Sequence, residues 1–352
     1  MTNGFFNEVM EGPLAQELAE ETVRLCRIPG PTGWTEEICA YVEQKLRAYG
    51  WEPRRIHKGG LLCDLGGEGD TLVVSAHLDA IGTMVSSVLP NGRLRLAALG
   101  GVVFANLDSE NCTVYTRGGR AISGTLQLDE PSTHANGEVR TRERNRMTME
   151  VVLDEETSSA AETRALGVEN GDYVVFDPKV CEAGGFIKSR ALDDRAQAAV
   201  LLVYAKWLRE TGRTPGRHTV LQFADFEEIG LGGSAGLPED VREFLAADVG
   251  IIGRELEGNE FSVSIVAKDA SMPYDPRVTR GLIDAAQRAG APYVVDVYPE
   301  RYGSDAGAAV RAGYNVRIGL FGPGVSATHG YERTHRKAIA AAFATLVSYI
   351  GY

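Results

Sequence analysis

Apolar residues at Leu14, Leu18 and Leu25 recur at helical spacing behind Pro13, and this predicts a helix over 14–25. A second helix is predicted from Thr35 to a stop at Gly50. Glu36 and Glu37 fall in its first turn, and Ile38, Val42, Leu46 and Tyr49 form its inner stripe. The following run, "LLCDLGGEGDTLVVSAHLD", reads as a strand, a glycine-rich turn and a buried strand over 71–76. The texture changes after about Val85. Short alternating runs ("GRLRLAAL", "NCTVYT", "AISGTLQL", "RMTMEVVL", "DYVVFDP") are separated by Gly, Asn and Asp, which predicts a small all-β, barrel-like module over 86–180. The polar piece 134–146 reads as a loop within it.

From Ala191 helix and strand patterns alternate again. "ALDDRAQAAVLLVYAKWLRETG" is helical, "HTVLQFADF" a strand, "DVGII" another, "FSVSIVA" a strand and "DPRVTRGLIDAAQRAG" a helix. "PYVVDVY" and "NVRIGLF" are strands around the short helix "DAGAAVRAG". "ERTHRKAIAAAFATLVSYI" reads as a closing helix with His335 on its first turn. This alternation predicts an α/β fold, a mixed sheet flanked by helices. The domain expectation is therefore 1–85 plus 181–352, interrupted by 86–180.

Composition narrows the function. The chain has 352 residues, 44% hydrophobic and 24% charged, enough for a full buried core. Its 48 acidic against 36 basic residues leave a net charge of −12, which argues against nucleic acid or an anionic membrane as partner. The five cysteines (Cys26, Cys39, Cys63, Cys112, Cys181) include no C-x-x-C pair and read as reduced thiols. With no basic, apolar leader at the N-terminus and no 18-residue apolar run, a cytoplasmic protein is expected.

In open α/β sheets ligands gather beyond the carboxyl ends of the strands. Several polar residues follow apolar runs in this way: His77 and Asp79, Glu227 and Glu228, His329, and Asp248 beside an expected strand. Asp193 and Asp194 open a helix. Each has a plain structural reading, as a helix cap, a solvated turn or a packed imidazole. Together they make a set of nitrogen and oxygen donors suited to borderline or hard metal ions.

"SAHLDAIG", "SRALDDR", "FEEIGLGG" and "ATHGYE" occur in the order found in metallopeptidase family 42, and the chain resembles these tetrahedral and glutamyl-type aminopeptidases over nearly its whole length. The resemblance implies a zinc-peptidase-like, phosphorylase/hydrolase-like fold and two divalent metal ions, zinc first, with cobalt or manganese as alternatives. His77 and Asp248 would bind one ion, Glu228 and His329 the other, and Asp193 would bridge them. Asp79 would orient His77, and Glu227 would be the general base toward a water held by the ions. The substrates implied are short peptides. The inserted module would serve dimerisation, with dimers assembling to hollow dodecamers. The ending "SDAGAAVRAGYNVRIGLFGPGVSATHGYERTH" resembles a bacterial branch associated with genes for the osmolyte N-acetylglutaminylglutamine amide.

Two places depart from the family pattern. Ala80 stands where the family usually has glutamate, and "FLAADVGIIGRELEG" matches loosely enough that Glu255 or Glu257 could replace Asp248. Ser304 and Asp305 are expected to cap a helix, and Arg195 to ion-pair with site carboxylates. The alternatives to an aminopeptidase are an amide hydrolase or deacylase acting on N-acylated or amidated dipeptides, a glycosidase, or a non-catalytic assembly protein. A glycosidase would need the paired carboxylates but leave His77 and His329 without a role.

Overall fold

A computed structural model describes residues 4–352. The chain forms two compact units, one comprising the residues up to Asp79 together with Lys179–Tyr352, the other Ala80–Pro178.

The first unit is built on a sheet that is nine-stranded among the described residues. Its main order is Arg54–Arg55, Leu61–Asp64, Thr219–Ala224, Thr71–His77, Val241–Ala247, Arg317–Val325, Val263–Lys268 and Tyr293–Val297. The four central strands Thr219–Ala224, Thr71–His77, Val241–Ala247 and Arg317–Val325 run parallel, with Ala224 opposite His77 and Ala247 opposite Phe321. Thr71–His77 is buried at every position, as expected of a central parallel strand covered on both faces. The period-2 alternation divides its side chains between two cores. Leu72, Val74 and Ala76 pack with the helices Leu14–Cys26, Leu192–Thr211 and Arg336–Ile350, whereas Val73 joins Phe244 and Leu320 on the other face. Because the four central strands are parallel and in register, the loops after His77, Ala224, Ala247 and Val325 leave the sheet at one edge.

Three elements differ from the sequence pattern. A helix at Phe5–Glu11 is too short to show a period. The strand beside Asp248 is "VREFLAA", Val241–Ala247, and "DVGII" contributes only the two-residue Gly250–Ile251. The closing helix starts at Arg336. Glu332–His335 is instead a strand paired antiparallel to Phe186–Ser189, and His335 caps the helix by accepting from the Lys337 N–H at 3.1 Å.

The second unit is a closed antiparallel barrel of six strands, in the order Gly82–Val88, Leu94–Leu99, Met149–Leu153, Ala121–Leu128, Glu110–Tyr115 and Tyr173–Phe176. Its interior is filled by alternate residues such as Val85, Leu94, Val114, Leu126 and Val151. Gly82–Val88 pairs with two barrel strands, so the unit begins upstream of Val85, where the texture changes. No helix among the described residues is long and apolar enough to cross a membrane.

Candidate metal centre

Each of the four parallel strands delivers one part of a cluster. His77 is the last residue of its strand. Thr219–Ala224 runs into Asp225 and then Phe226, which sits in the left-handed region at φ 69° and turns the chain into the short 3-10 turn Glu227–Ile229. For a bulky residue that conformation is costly and needs support. Asp225 supplies part of it, accepting from the Phe226 N–H at 2.7 Å, the Thr35 hydroxyl at 2.7 Å and the Gly33 N–H at 3.2 Å. The Asp79 carboxylate supplies the rest by accepting the N–H groups of Glu227 and Glu228 at 3.2 and 3.3 Å. Asp248 follows Val241–Ala247, donates its own N–H to the Phe321 carbonyl at 3.1 Å, and accepts from the Val249 N–H at 2.6 Å. His329 lies beyond Arg317–Val325 in a loop where Ala327 and His329 both have positive φ. Asp193 and Asp194 stand at the head of Leu192–Thr211 with non-helical dihedrals, joined by a cis peptide.

The side chains converge. His77 Nε2 is 3.1 Å from Asp193 Oδ1 and 3.7 Å from Glu227 Oε2. His329 Nε2 is 3.2 Å from Glu228 Oε2 and 3.8 Å from Asp193 Oδ2. The two oxygens of Asp193 therefore face different histidines. Donor atoms of His77, Asp193 and Glu228 lie within 4.8 Å of one another, as do those of His77, Asp194 and Asp248. Asp248 is buried, whereas Glu255 and Glu257 are exposed to solvent.

The electrostatics are those of a site short of positive charge. Burial pushes the Asp248 carboxyl up to about 8, helped by the nearby Asp193. Burial also raises Glu227 and Glu228, and raises Asp194 with help from Asp248. His329 is raised to about 10 by its hydrogen bond to Glu228. Burial disfavours the charged form of His77, but hydrogen bonds to Asp193 and Asp79 outweigh it and the imidazole is raised. Asp194 Oδ1 is buried with no hydrogen-bond partner among the described residues. Several buried carboxylates, two imidazoles and an orphaned carboxylate oxygen are a donor set that divalent cations fit.

Some residues take other roles than the sequence suggests. The atom nearest His77 Nδ1 is the Asp79 backbone carbonyl at 2.8 Å, with the Asp79 carboxylate at 3.6 Å, because the strand ends at His77 and the strand alternation does not reach Asp79. Arg195 makes no ion pair among the described residues. It is buried, donates to the Gly30 carbonyl at 3.4 Å, and leaves Nε and Nη1 without partners among the described residues. Ser304 occupies the N-cap position but its hydroxyl turns to Tyr274 and Asp269, while Asp305 accepts from the Ser75 hydroxyl at 2.8 Å. The sequence reading also gave no role to Lys58 or Glu332. Lys58 donates to the carbonyls of Asp225 and Gly232, each at 3.1 Å, and to that of Leu231, and so holds the Glu227–Glu228 loop from behind. The Glu332 carboxylate accepts from the Leu192, Asp193 and His329 N–H groups. Its position three residues after His329 was the only available sequence signal.

Comparison with known proteins gives a consistent picture. The family model described as M42 glutamyl aminopeptidase matches residues 59–344. YhfE of Bacillus subtilis (strain 168), which bears an aminopeptidase name, is 38% identical over 326 residues, 92% of this chain and 93% of its own. Among solved structures, aminopeptidase APDkam598 from the archaeon Desulfurococcus kamchatkensis superposes with TM-score 0.84 at 22% identity, covering 96% of this chain and 95% of its own. The Pyrococcus horikoshii TET1 peptidase, whose title describes assembly into a tetrahedron or a large octahedral shell, gives 0.83 at 20%, covering 95% and 99%.

Proposed function

The chain belongs to the M42 glutamyl aminopeptidase family and is a metal-dependent aminopeptidase; on that premise we propose that it removes N-terminal residues from short peptides using a two-metal centre with Glu227 as general base. His77 and Asp248 would hold one ion, Glu228 and His329 the other, and Asp193 both, with zinc the first choice for this mixture of imidazole and carboxylate donors. The observation that carries the reading is the placement of Asp193, one oxygen toward His77 and the other toward His329. When bound, such ions supply Lewis acidity toward the scissile carbonyl and toward water.

The remaining chemistry belongs to the chain. Glu227 sits beside His77 with its side chain 13% exposed, and its backbone N–H is fixed by Asp79. Burial raises its proton affinity, which suits a group that must accept a proton and then release it. As the water oxygen bonds to the carbonyl carbon, Glu227 takes the water's proton. It then gives that proton to the amine nitrogen as the carbon–nitrogen bond breaks. The glycines at Gly230, Gly232 and Gly233 keep this loop narrow; a Cβ at Gly232 would lie 1.7 Å from Asp305 Oδ1. We further propose self-association through the barrel, as dimers that build a larger shell. This is supported by the assembly named for the Pyrococcus horikoshii relative.

The test is Glu227→Gln with metal content and turnover measured together. Bound metal should stay at the wild-type level while hydrolysis of aminoacyl substrates falls by about 10²–10⁴. Unchanged hydrolysis would exclude Glu227 as the base. Parallel rates on peptides with free N-termini and on N-acylated or amidated dipeptides decide the substrate class, and faster cleavage of blocked substrates would make the enzyme a deacylase.

A further inference from the structure

Glu332 is 1% exposed, and its hydrogen bonds among the described residues all come from backbone N–H groups. Oε2 accepts from the Leu192 N–H at 2.6 Å and the Asp193 N–H at 3.1 Å, and Oε1 accepts from the His329 N–H at 3.0 Å. The carboxylate thus ties two segments more than a hundred residues apart in sequence, each carrying one candidate ligand. Its own backbone is fixed independently, since Glu332 lies opposite Ser189 in the ladder between Glu332–His335 and Phe186–Ser189. The tie on the His329 side falls on a residue with φ 60°, a left-handed conformation uncommon outside glycine.

We propose that Glu332 is a positioning residue that sets the distance between Asp193 and His329, and with it the geometry of the ion bound by Glu228 and His329. This rests on the two-metal reading. The ion bound by His77 and Asp248 depends on it less, because His77 is set by the end of its strand and Asp248 by its hydrogen bond to Phe321. A burial requirement alone does not account for the arrangement. Three backbone donors on one carboxylate are a geometric specification, and removing it would leave buried N–H groups of both segments unpaired.

Glu332→Gln separates the possibilities. The amide keeps one acceptor oxygen but turns a donor toward a backbone N–H, so one of the two segments must be released. Zinc titration of metal-free protein by calorimetry or a competing chromophoric chelator is the primary reading. The wild type is expected to bind two ions. In Glu332→Gln one ion should weaken by about 10–100-fold, the usual effect of losing a group behind the ligands, and the other, which shares only Asp193 with it, by clearly less. Activity should fall at limiting zinc and recover as free zinc is raised, which a merely destabilised fold would not show. Two ions bound with wild-type affinities, or equal weakening of both, would overturn the proposal. If Glu332→Gln does not fold, Glu332→Asp, which keeps the charge but shortens the reach, is read by the same criteria. A wild type that binds fewer than two ions would instead remove the two-metal reading, so the two failures are distinguishable.

Discussion

A single methyl group at Gly322 should disable the metal centre from outside it. Gly322 lies in Arg317–Val325, next to the residue whose carbonyl receives the Asp248 N–H at 3.1 Å. A Cβ there would stand 1.5 Å from the Asp248 carbonyl oxygen, 2.6 Å from its carbonyl carbon and 3.2 Å from Val249 Cα. Heavy atoms in ordinary contact sit at roughly 3.5 Å, so the Asp248 backbone must withdraw by about 2 Å. The obstruction is backbone, and no side-chain rotation relieves it. Overpacking costs about 1–3 kcal/mol and the strained Asp248–Phe321 hydrogen bond about 1 more, so Gly322→Ala should lose roughly 2–4 kcal/mol of stability. The functional effect should be larger than that figure suggests. Misplacing a catalytic group by 1 Å costs on the order of 10²-fold, so kcat/KM should fall by at least that factor. The assay is zinc affinity and kcat/KM for Gly322→Ala beside Gly319→Ala. Gly319 is on the same strand, but its Cβ would meet the Val278 side chain at 2.4 Å, away from Asp248. Gly319→Ala should lose stability and keep its zinc. Wild-type zinc affinity in Gly322→Ala, or an equal loss in Gly319→Ala, would refute the reasoning.

Four further outcomes are expected. Between its ordinary value of 3.8 and its folded value of about 8, Asp248 holds a proton in the native state that the unfolded chain releases, so its contribution to stability declines as pH rises through that window. His329, raised from 6.5 to about 10, contributes stability that is complete below 6.5 and lost as pH rises through 10; the urea midpoint of metal-free protein should therefore be lower at pH 9 than at pH 6. Zinc binding at neutral pH should release protons, seen as a calorimetric enthalpy that varies with the ionisation enthalpy of the buffer, and no such variation would count against these assignments. Cys26, Cys39, Cys63 and Cys112 are buried while Cys181 is partly exposed, so a thiol reagent at pH 8 should modify Cys181 alone until the protein unfolds. Phe343→Ala empties a fully buried position on the helix Arg336–Ile350 and should cost about 3–5 kcal/mol, read as a shift in denaturant midpoint with unchanged slope.

What the sequence reveals follows from locality. Buried parallel strands are near-continuous apolar runs, so "TLVVSAH" and "TVLQFA" are visible by eye, and the polar residues just after them are where an α/β sheet puts its chemistry. His77, Glu227, Glu228 and His329 are legible in that way. Val241–Ala247 is invisible for the opposite reason. Its second and third residues are Arg242 and Glu243, and Glu243 is buried only because Arg217, Arg317 and Tyr349 reach it from distant segments at 2.9, 3.4 and 2.7 Å. No local pattern announces a charge whose compensation lies elsewhere. Glu332 is hidden similarly. Its partners are backbone N–H groups, which every residue but proline has, so its role leaves no trace in residue type. Arg195 misleads in the other direction, since an arginine after two aspartates invites an ion pair, yet its guanidinium turns toward Gly30.

The carboxylates of the candidate metal centre and its surroundings divide by what their oxygens already hold. Asp79, Asp225 and Glu332 each accept at least two backbone N–H groups, which satisfy a buried carboxylate without any metal. Among the described residues Asp193, Glu227 and Glu228 accept no backbone N–H; their oxygens lie 3.1–3.8 Å from the imidazoles of His77 and His329. Lys58 does not relieve this, because it donates to carbonyls of the Glu227–Glu228 loop. A buried carboxylate left without a compensating charge costs several kcal/mol or takes up a proton; burial raises Asp225 and Glu332 as well as Glu227 and Glu228, so the donors each oxygen holds, and not its titration, divide the set. The saturated carboxylates therefore act as scaffold: they hold the turn at Phe226 and the approach of Asp193 to His329 in conformations the chain would not otherwise keep. The unsaturated ones form the face that a cation must complete. That division depends only on counting donors, and it separates Asp193, Glu227 and Glu228 from the groups that position them; Asp248, which accepts one backbone N–H, falls between the two.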